Sequence, residues 1–415
     1  MGKYKILMTY VEAGMGHIIS AEAIANALEK YYPDEVEVVR CKFFTDTGDP
    51  ALEKHEQFLI NEVKKSNRHP LHMFYMSIIR LKHFPHLATI RIAYGIIFGK
   101  VNRHSRALFR KYDPDMVFST HFTPLHLSIE EKRDKKGADF LTAVYDPDPN
   151  VHGWWDRRAD LAIFNNPFAY REAVDVMRFK PENSVLGTFV IRDVVRATPK
   201  DKTVLRKKHD LPENQFTITI ASGAYAEGHL PAFAERLLQI DRPFTLLIIA
   251  GSNDEVYNHF SEKVGHTGKV DLRVYHFVPD AHELYGASDI FLTKAGPNAI
   301  LDSVYMGTPV MTIFYASLIE KITKQLYIDE NKVGVHLTDP EEAATFLTDC
   351  MEDPAKLAPY VENCRTFVEK QTGGEKQIAD AIVEKLRRNG PPKADRNAAN
   401  TPEPPKKRES EPSLR

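Results

Sequence analysis

Short apolar runs alternate along this chain with helix-length stretches whose apolar residues recur every three to four positions. Lys5-Ile6-Leu7-Met8-Thr9-Tyr10 reads as a buried strand, residues 20–31 as a helix rich in Ala, Leu and Glu, and Val36-Glu37-Val38-Val39 as a second strand. Apolar runs this continuous suit strands covered on both faces, and a strand–helix–strand opening predicts a parallel, doubly wound sheet. Further strands are predicted at 115–121, 140–146 and 160–164, then at 216–220, 244–250, 272–277, 290–293 and 310–314. The pattern ends in helices at 341–351, 354–369 and 377–388, and no solenoid-like repeat occurs.

At 415 residues the chain exceeds what one core usually organises, so two α/β domains are expected. Residues 193–212 are charged and punctuated by proline, and read as the linker. That divides the chain into 1–195 and 196–388, with the last helix crossing back to the first domain. Residues 389–415 are poor in apolar groups and read as a disordered tail.

Composition adds exclusions. The net charge of −2 gives no global field for nucleic acid. Cys41, Cys350 and Cys364 have neither disulfide-framework nor zinc spacing. No apolar run reaches the ~18 residues of a membrane-spanning helix, and the N-terminus lacks a signal-peptide pattern. Ile6 stands where an N-myristoylation motif wants Ser or Thr. The expectation is a cytoplasmic protein whose membrane contact, if it has one, is peripheral. One local bias stands out. Residues 64–111 contain no Asp or Glu, and Arg80, Lys82 and Arg91 are interleaved with Phe74, Tyr75, Phe84 and Tyr94. This reads as a cationic, amphipathic surface for anionic lipid headgroups. Core helices with a solvated basic rim, or a nucleic-acid patch, are the alternatives.

The candidate chemistry lies at strand ends. The strand ending at Thr293 runs into Lys294-Ala295-Gly296-Pro297, and a helix starts near Asn298 and stops at Gly307. A strand, a Gly-containing turn and a helix N-terminus make an anion cradle, because free amide hydrogens and the positive end of the helix dipole converge. Asp302 lies about one turn into that helix, where it could accept hydrogen bonds from ribose hydroxyls. An ordinary strand–helix junction is the alternative. In the first domain Gly14-Met15-Gly16-His17 precedes a helix. A dinucleotide fingerprint would need Gly at position 19, which is Ile. His17 suits a general base for a hydroxyl acceptor, or else a capping residue. Asp146 and His152 follow a strand end, as acceptor-orienting groups or as turn and packing residues. Asp113-Pro114-Asp115 and Asp146-Pro147-Asp148 carry a proline that suits turns, so no metal is expected.

KAGPNAILDSVYMGTP, GMGHIISAEAIANAL and LTAVYDPDPNVHGWW together resemble the monogalactosyldiacylglycerol synthase and processive diacylglycerol glucosyltransferase family, a glycosyltransferase family 28-like group. The resemblance implies a GT-B fold, with two doubly wound Rossmann-like domains facing across a cleft. It implies inverting transfer of a hexose from a UDP-sugar to a lipid, diacylglycerol, at the inner face of the cell membrane, without a metal or other cofactor. By resemblance Gly296, Pro297 and Asn298, with Lys294 and Ala295, sit by the diphosphate. Asp302 sits by the ribose, where the family has Glu. Gly14, Gly16, Ser222, Gly223, Gly251 and Ser252 complete the donor side, and Phe277-Val278 meets the uracil. Of the family's Gln-Glu-x-x-Asn donor motif, Glu320 remains, with Ile319 and Thr323 at the flanking positions. His17 is implied as base and Asp146 as second choice. His152 and Trp154 join the aromatic and basic residues of 64–111 on the acceptor and membrane side. A soluble-acceptor transferase or epimerase of the same fold, and a binding protein with an altered site, are the alternatives.

Overall fold

The computed structural model describes residues 2–12, 15–50, 52–54, 56–57, 99–133, 139–147, 155–223, 229–314, 318–371 and 374–399. The first sheet contains β1 (Tyr4–Tyr10), β2 (Val36–Lys42), β3 (Met116–Ser119), β4 (Leu141–Asp146), β5 (Leu161–Phe164) and β6 (Ser184–Leu186), in the spatial order β2-β1-β3-β4-β5-β6. The second contains β7 (Thr217–Ala221), β8 (Phe244–Ile249), β9 (Val270–Tyr275), β10 (Ile290–Lys294), β11 (Val310–Phe314) and β12 (Gly334–His336), ordered β12-β11-β10-β7-β8-β9. Every strand pair is parallel. The central strands are buried along their whole length, which is why their sequences are nearly continuous apolar runs.

The expected linker at 193–212 is not one. Helices Asp193–Ala197 and Lys202–Lys208 occupy it, and Val195, Leu205 and Leu211 are buried in the second-domain core with Phe291, Ile300 and Val304. Their charged neighbours mask these anchors in any average over the segment. Arg206 is itself buried, donating to the Ala287 carbonyl and to Asp289. Phe189 and Ile191 belong to the same core, so the crossing falls just after β6 and earlier than the boundary expected at 195.

Helix Gly374–Arg388 returns to the first domain. Its Ile378, Ala379, Ile382, Val383 and Leu386 share a core with Ile6, Met8 and Phe118. The two crossings meet at one carboxylate. Glu375 accepts a hydrogen bond from the Ile191 amide at 2.5 Å and pairs with Arg196 at 2.8 Å. The tail expectation also needs correction. Helix Lys393–Ala399 docks on the first domain: the Lys393 amide donates to Asp115, Arg396 pairs with Asp139, and the Gly2 amide donates to Asp395. Residues 400–415 lie outside the described residues.

Candidate active site

In an open parallel sheet, the loops leaving two neighbouring strands diverge where the strand order reverses, and a crevice opens there. In the first sheet this point lies between β1 and β3, with β2 on the far side of β1. Helix Met15–Tyr31 starts beyond β1 and carries His17 in its first turn. Beyond β3 comes Thr120, whose carbonyl lies 2.5 Å from His17 Nδ1 and whose hydroxyl donates to the His17 carbonyl at 2.8 Å. A carbonyl only accepts, so Nδ1 carries the proton and the basic lone pair of neutral His17 is on Nε2. The ring of His121 stands edge-on to that of His17, 4.9 Å between centroids. Burial holds the His121 imidazole well below its usual range, and the neighbouring His17 and His126 push the same way, so His121 stays neutral. Asp146, at the end of β4, is only 2% exposed. Its carboxylate accepts the Trp155 indole N–H at 2.5 Å, and its carbonyl accepts from Asn165. That geometry engages the Asp146 carboxylate with Trp155.

The second sheet reverses between β7 and β10. Gly223 follows β7 with φ +67°, and a Cβ there would lie 3.3 Å from Lys294 Cε at the end of β10. Glycine is required both by the backbone angle and by the approach of Lys294. Gly296 precedes helix Pro297–Tyr305, with proline in the first turn. Asn298 in that turn reaches across to the first domain, its Nδ2 2.9 Å from where a Cβ on Gly16 would stand. The start of helix Pro297–Tyr305 therefore faces the His17 loop. Lys294 Nζ pairs with Glu320 Oε1 at 3.0 Å. Gly251 and Ser252 follow β8, and Phe277-Val278 follows β9 with Phe277 59% exposed. Ser222 and Ala295 are buried beneath the same edge.

Asp302 does not present an unengaged carboxylate to a ribose. Its Oδ2 accepts a 2.6 Å hydrogen bond from Arg192 Nη2, in the crossing segment. Burial pushes the Asp302 carboxyl above its usual value, and Arg192 pulls it part of the way back. Arg192 Nε is buried with no hydrogen-bond partner, as is Thr293 Oγ1 beside Lys294.

Residues 190–370 match the glycosyltransferase family 28 C-terminal domain. Over 357 residues the chain is 25% identical to the chloroplastic monogalactosyldiacylglycerol synthase of Spinacia oleracea, covering 82% of this chain and 65% of that protein. It thus spans about two thirds of that relative's length. It is 20% identical over 382 residues to the processive diacylglycerol beta-glucosyltransferase of Bacillus pumilus, covering 92% and 94%. Among solved structures it is similar to Anabaena Alr3699/HepE in complex with UDP, with a TM-score of 0.53 at 16% identity over 92% of this chain and 100% of that one. The fold is GT-B.

The two domains bring together, at two facing strand-end edges, Gly16, His17, Gly223, Lys294, Gly296, Asn298 and Glu320. Gly14, Phe74, Tyr75, Arg80, Lys82, Phe84, Arg91, Tyr94, His152 and Trp154 lie outside the described residues. Part of the acid-free stretch is described in helix Gly99–Tyr112. There Arg106 and Arg110 face Glu131 at 3.0 and 3.7 Å, while Leu108 and Phe109 are buried with Phe43 and Phe140. This end of the stretch is core with a paired basic rim. Among the described residues no helix is long and apolar enough to cross a membrane, and no group of three or more His, Cys, Asp or Glu is placed to hold a metal. Sequence reasoning left Arg192 and Thr120 out of the site. Both act through partners about 100 residues away, which no local pattern announces.

Proposed function

We propose that this protein transfers a hexose from a UDP-sugar to the hydroxyl of a lipid, diacylglycerol, at an anionic membrane surface on the cytoplasmic side. The observation that carries the reading is the Gly223–Lys294–Gly296 edge, with its helix N-terminus turned toward the loop that holds His17. UDP in a solved structural neighbour and the diacylglycerol lipids in relatives' names support the same reading. In this mechanism His17 Nε2 takes the proton of the acceptor hydroxyl as its oxygen bonds to the anomeric carbon. The bond from that carbon to the diphosphate breaks on the opposite face, inverting configuration. Charge building on the departing phosphate is met by the first-turn amides of helix Pro297–Tyr305 and by Lys294. No metal is called for in this scheme.

The test is incubation of the purified protein with diacylglycerol liposomes and each UDP-hexose, followed by mass analysis of the lipid. A lipid one hexose heavier is expected with one donor. Hexose transfer to soluble sugars and none to lipid would replace the acceptor. The pairing of Arg106 and Arg110 with Glu131 favours that second reading, because it removes two cations from a bilayer-facing surface. Pelleting with anionic liposomes at low and high salt separates the two, since surface attraction falls with ionic strength.

A further inference from the structure

A cavity of about 260 Å³ lies between the C-terminal half of helix Pro297–Tyr305, the first crossing and the end of helix Ala358–Lys370. Buried Phe189, Leu301, Val304 and Phe367 line it, and the lining turns charged where it reaches the surface at Arg196 and Lys200. The two cations are not equivalent. Arg196 pairs with Glu375 at 2.8 Å. Lys200 pairs with no carboxylate among the described residues, and its ammonium stands 3.7 Å from the centre of the Tyr305 ring. Burial lowers the Lys200 pKa from its ordinary value, and Arg196 pushes the same way. Glu369, also in the lining, is engaged by Arg365. One uncompensated positive charge beside an apolar pocket is the complement of a monoanion with an apolar body. A carboxylate matches that single charge, and a phosphate dianion exceeds it. The volume equals that of about nine waters, which admits a body of about eight carbons.

We propose that this cavity binds a small carboxylic acid with an apolar body, its carboxylate on Lys200 and its body against Phe189, Leu301 and Phe367, and that the bound acid braces the domain crossing. The site is separate from the donor edge, since none of Gly223, Lys294, Gly296 and Asn298 lines it. It stands whether or not the cleft takes a UDP-sugar. One element joins the two places: Leu301, Val304 and Tyr305 lie on the helix whose first turn holds Asn298. Both crossings meet the cavity as well. Ile191 belongs to the first, and Gln371 leads into helix Gly374–Arg388, which makes the second. An occupant therefore fills the space between the two connections and ties residues 191–200 to the end of helix Ala358–Lys370.

Calorimetric titration of the full chain with octanoate and with 3-phenylpropionate tests this, with 1-octanol and acetate as controls. The acid whose body fits should bind in the range of about 0.1–1 mM, as a ligand of about ten heavy atoms does. Octanol lacks the charge and acetate the body, so each should bind at least about tenfold more weakly. Lys200→Met should weaken the acid about tenfold, and Lys200→Arg should keep it. Val368→Phe, which fills the cavity from a half-buried position, should abolish binding. Both positions reach the surface, so all three variants should unfold at about the parent's temperature without ligand. With the acid bound, amide hydrogen exchange across residues 191–200 should slow several-fold in the parent and not in Val368→Phe. Parent chain that binds neither acid, or octanol as tightly as octanoate, overturns the proposal. So does acid binding that is unchanged in Lys200→Met or in Val368→Phe, and so does unchanged exchange at 191–200 in the saturated parent.

Discussion

His17 is held at both ends by one residue. The Thr120 carbonyl accepts from Nδ1 and the Thr120 hydroxyl donates to the His17 carbonyl, so ring tautomer and backbone position are set together. Removing the ring should leave the donor edge untouched. We predict that His17→Ala binds UDP as the parent does and loses transfer by about 10²–10⁴-fold. Unchanged turnover in the lipid assay would take His17 out of the reaction. A second residue-scale prediction concerns Asp156, which is fully buried and bonded to His126 and Arg158. Burial alone would raise its carboxyl, but the bonds from His126 and Arg158 more than offset this and hold it far below the usual range. A depressed folded-state value means stability that is present above the unfolded carboxylate value, near pH ~4, and lost as pH falls through the folded one. Asp156→Asn should cost about 3 kcal/mol at pH 7, and the gap from the parent should narrow below pH ~4. Urea midpoints of both chains at the two pH values measure it.

At the scale of elements, both halves of the site are strand-end loops feeding helices, and each is tight where a glycine is required. Gly223 combines a positive φ with the approach of Lys294. Alanine there adds about 1 kcal/mol of backbone strain and crowds the ammonium. Gly223→Ala should therefore lower the unfolding free energy by about that amount and weaken UDP binding. A variant that loses stability but keeps UDP affinity would show that Lys294 does not work from this position. These loops were legible in the sequence because their chemistry is local: Gly14-x-Gly16-His17 and Lys294-Ala295-Gly296-Pro297 each span four residues. The segment 193–212 was not, because its fold depends on Val195, Leu205 and Leu211 finding the core beneath helix Pro297–Tyr305. Intrinsic composition carries no record of that burial.

For the whole molecule, the two domains are joined twice, and Glu375 clasps both crossings through Ile191 and Arg196. Gly374, at φ +46°, allows it: a Cβ there would run into the Arg196 guanidinium. Glu375→Ala leaves the Ile191 amide without its acceptor and Arg196 without its carboxylate. We expect a loss of about 2 kcal/mol, discounted because Arg196 is partly exposed, and a broadening or splitting of the single calorimetric unfolding transition as the domains uncouple. A sharp single transition at the parent's temperature would show that the apolar face of helix Gly374–Arg388 suffices to hold the domains together.

Apolar runs of strand length, the helices between them and the glycine loops at their ends were enough to determine two parallel, doubly wound sheets and to set His17 and the start of helix Pro297–Tyr305 at strand ends. Those features obey periodicities of two and of three to four residues, or backbone needs of single glycines, and both are written locally. Only the tertiary structure decided which charges face each other. Arg192 meets Asp302 across 110 positions, Thr120 meets His17 across 103, and Glu375 reaches back across 184 to Ile191. Such pairings arise when packed elements bring distant side chains into one low-dielectric place, and that place exists only after the fold has formed.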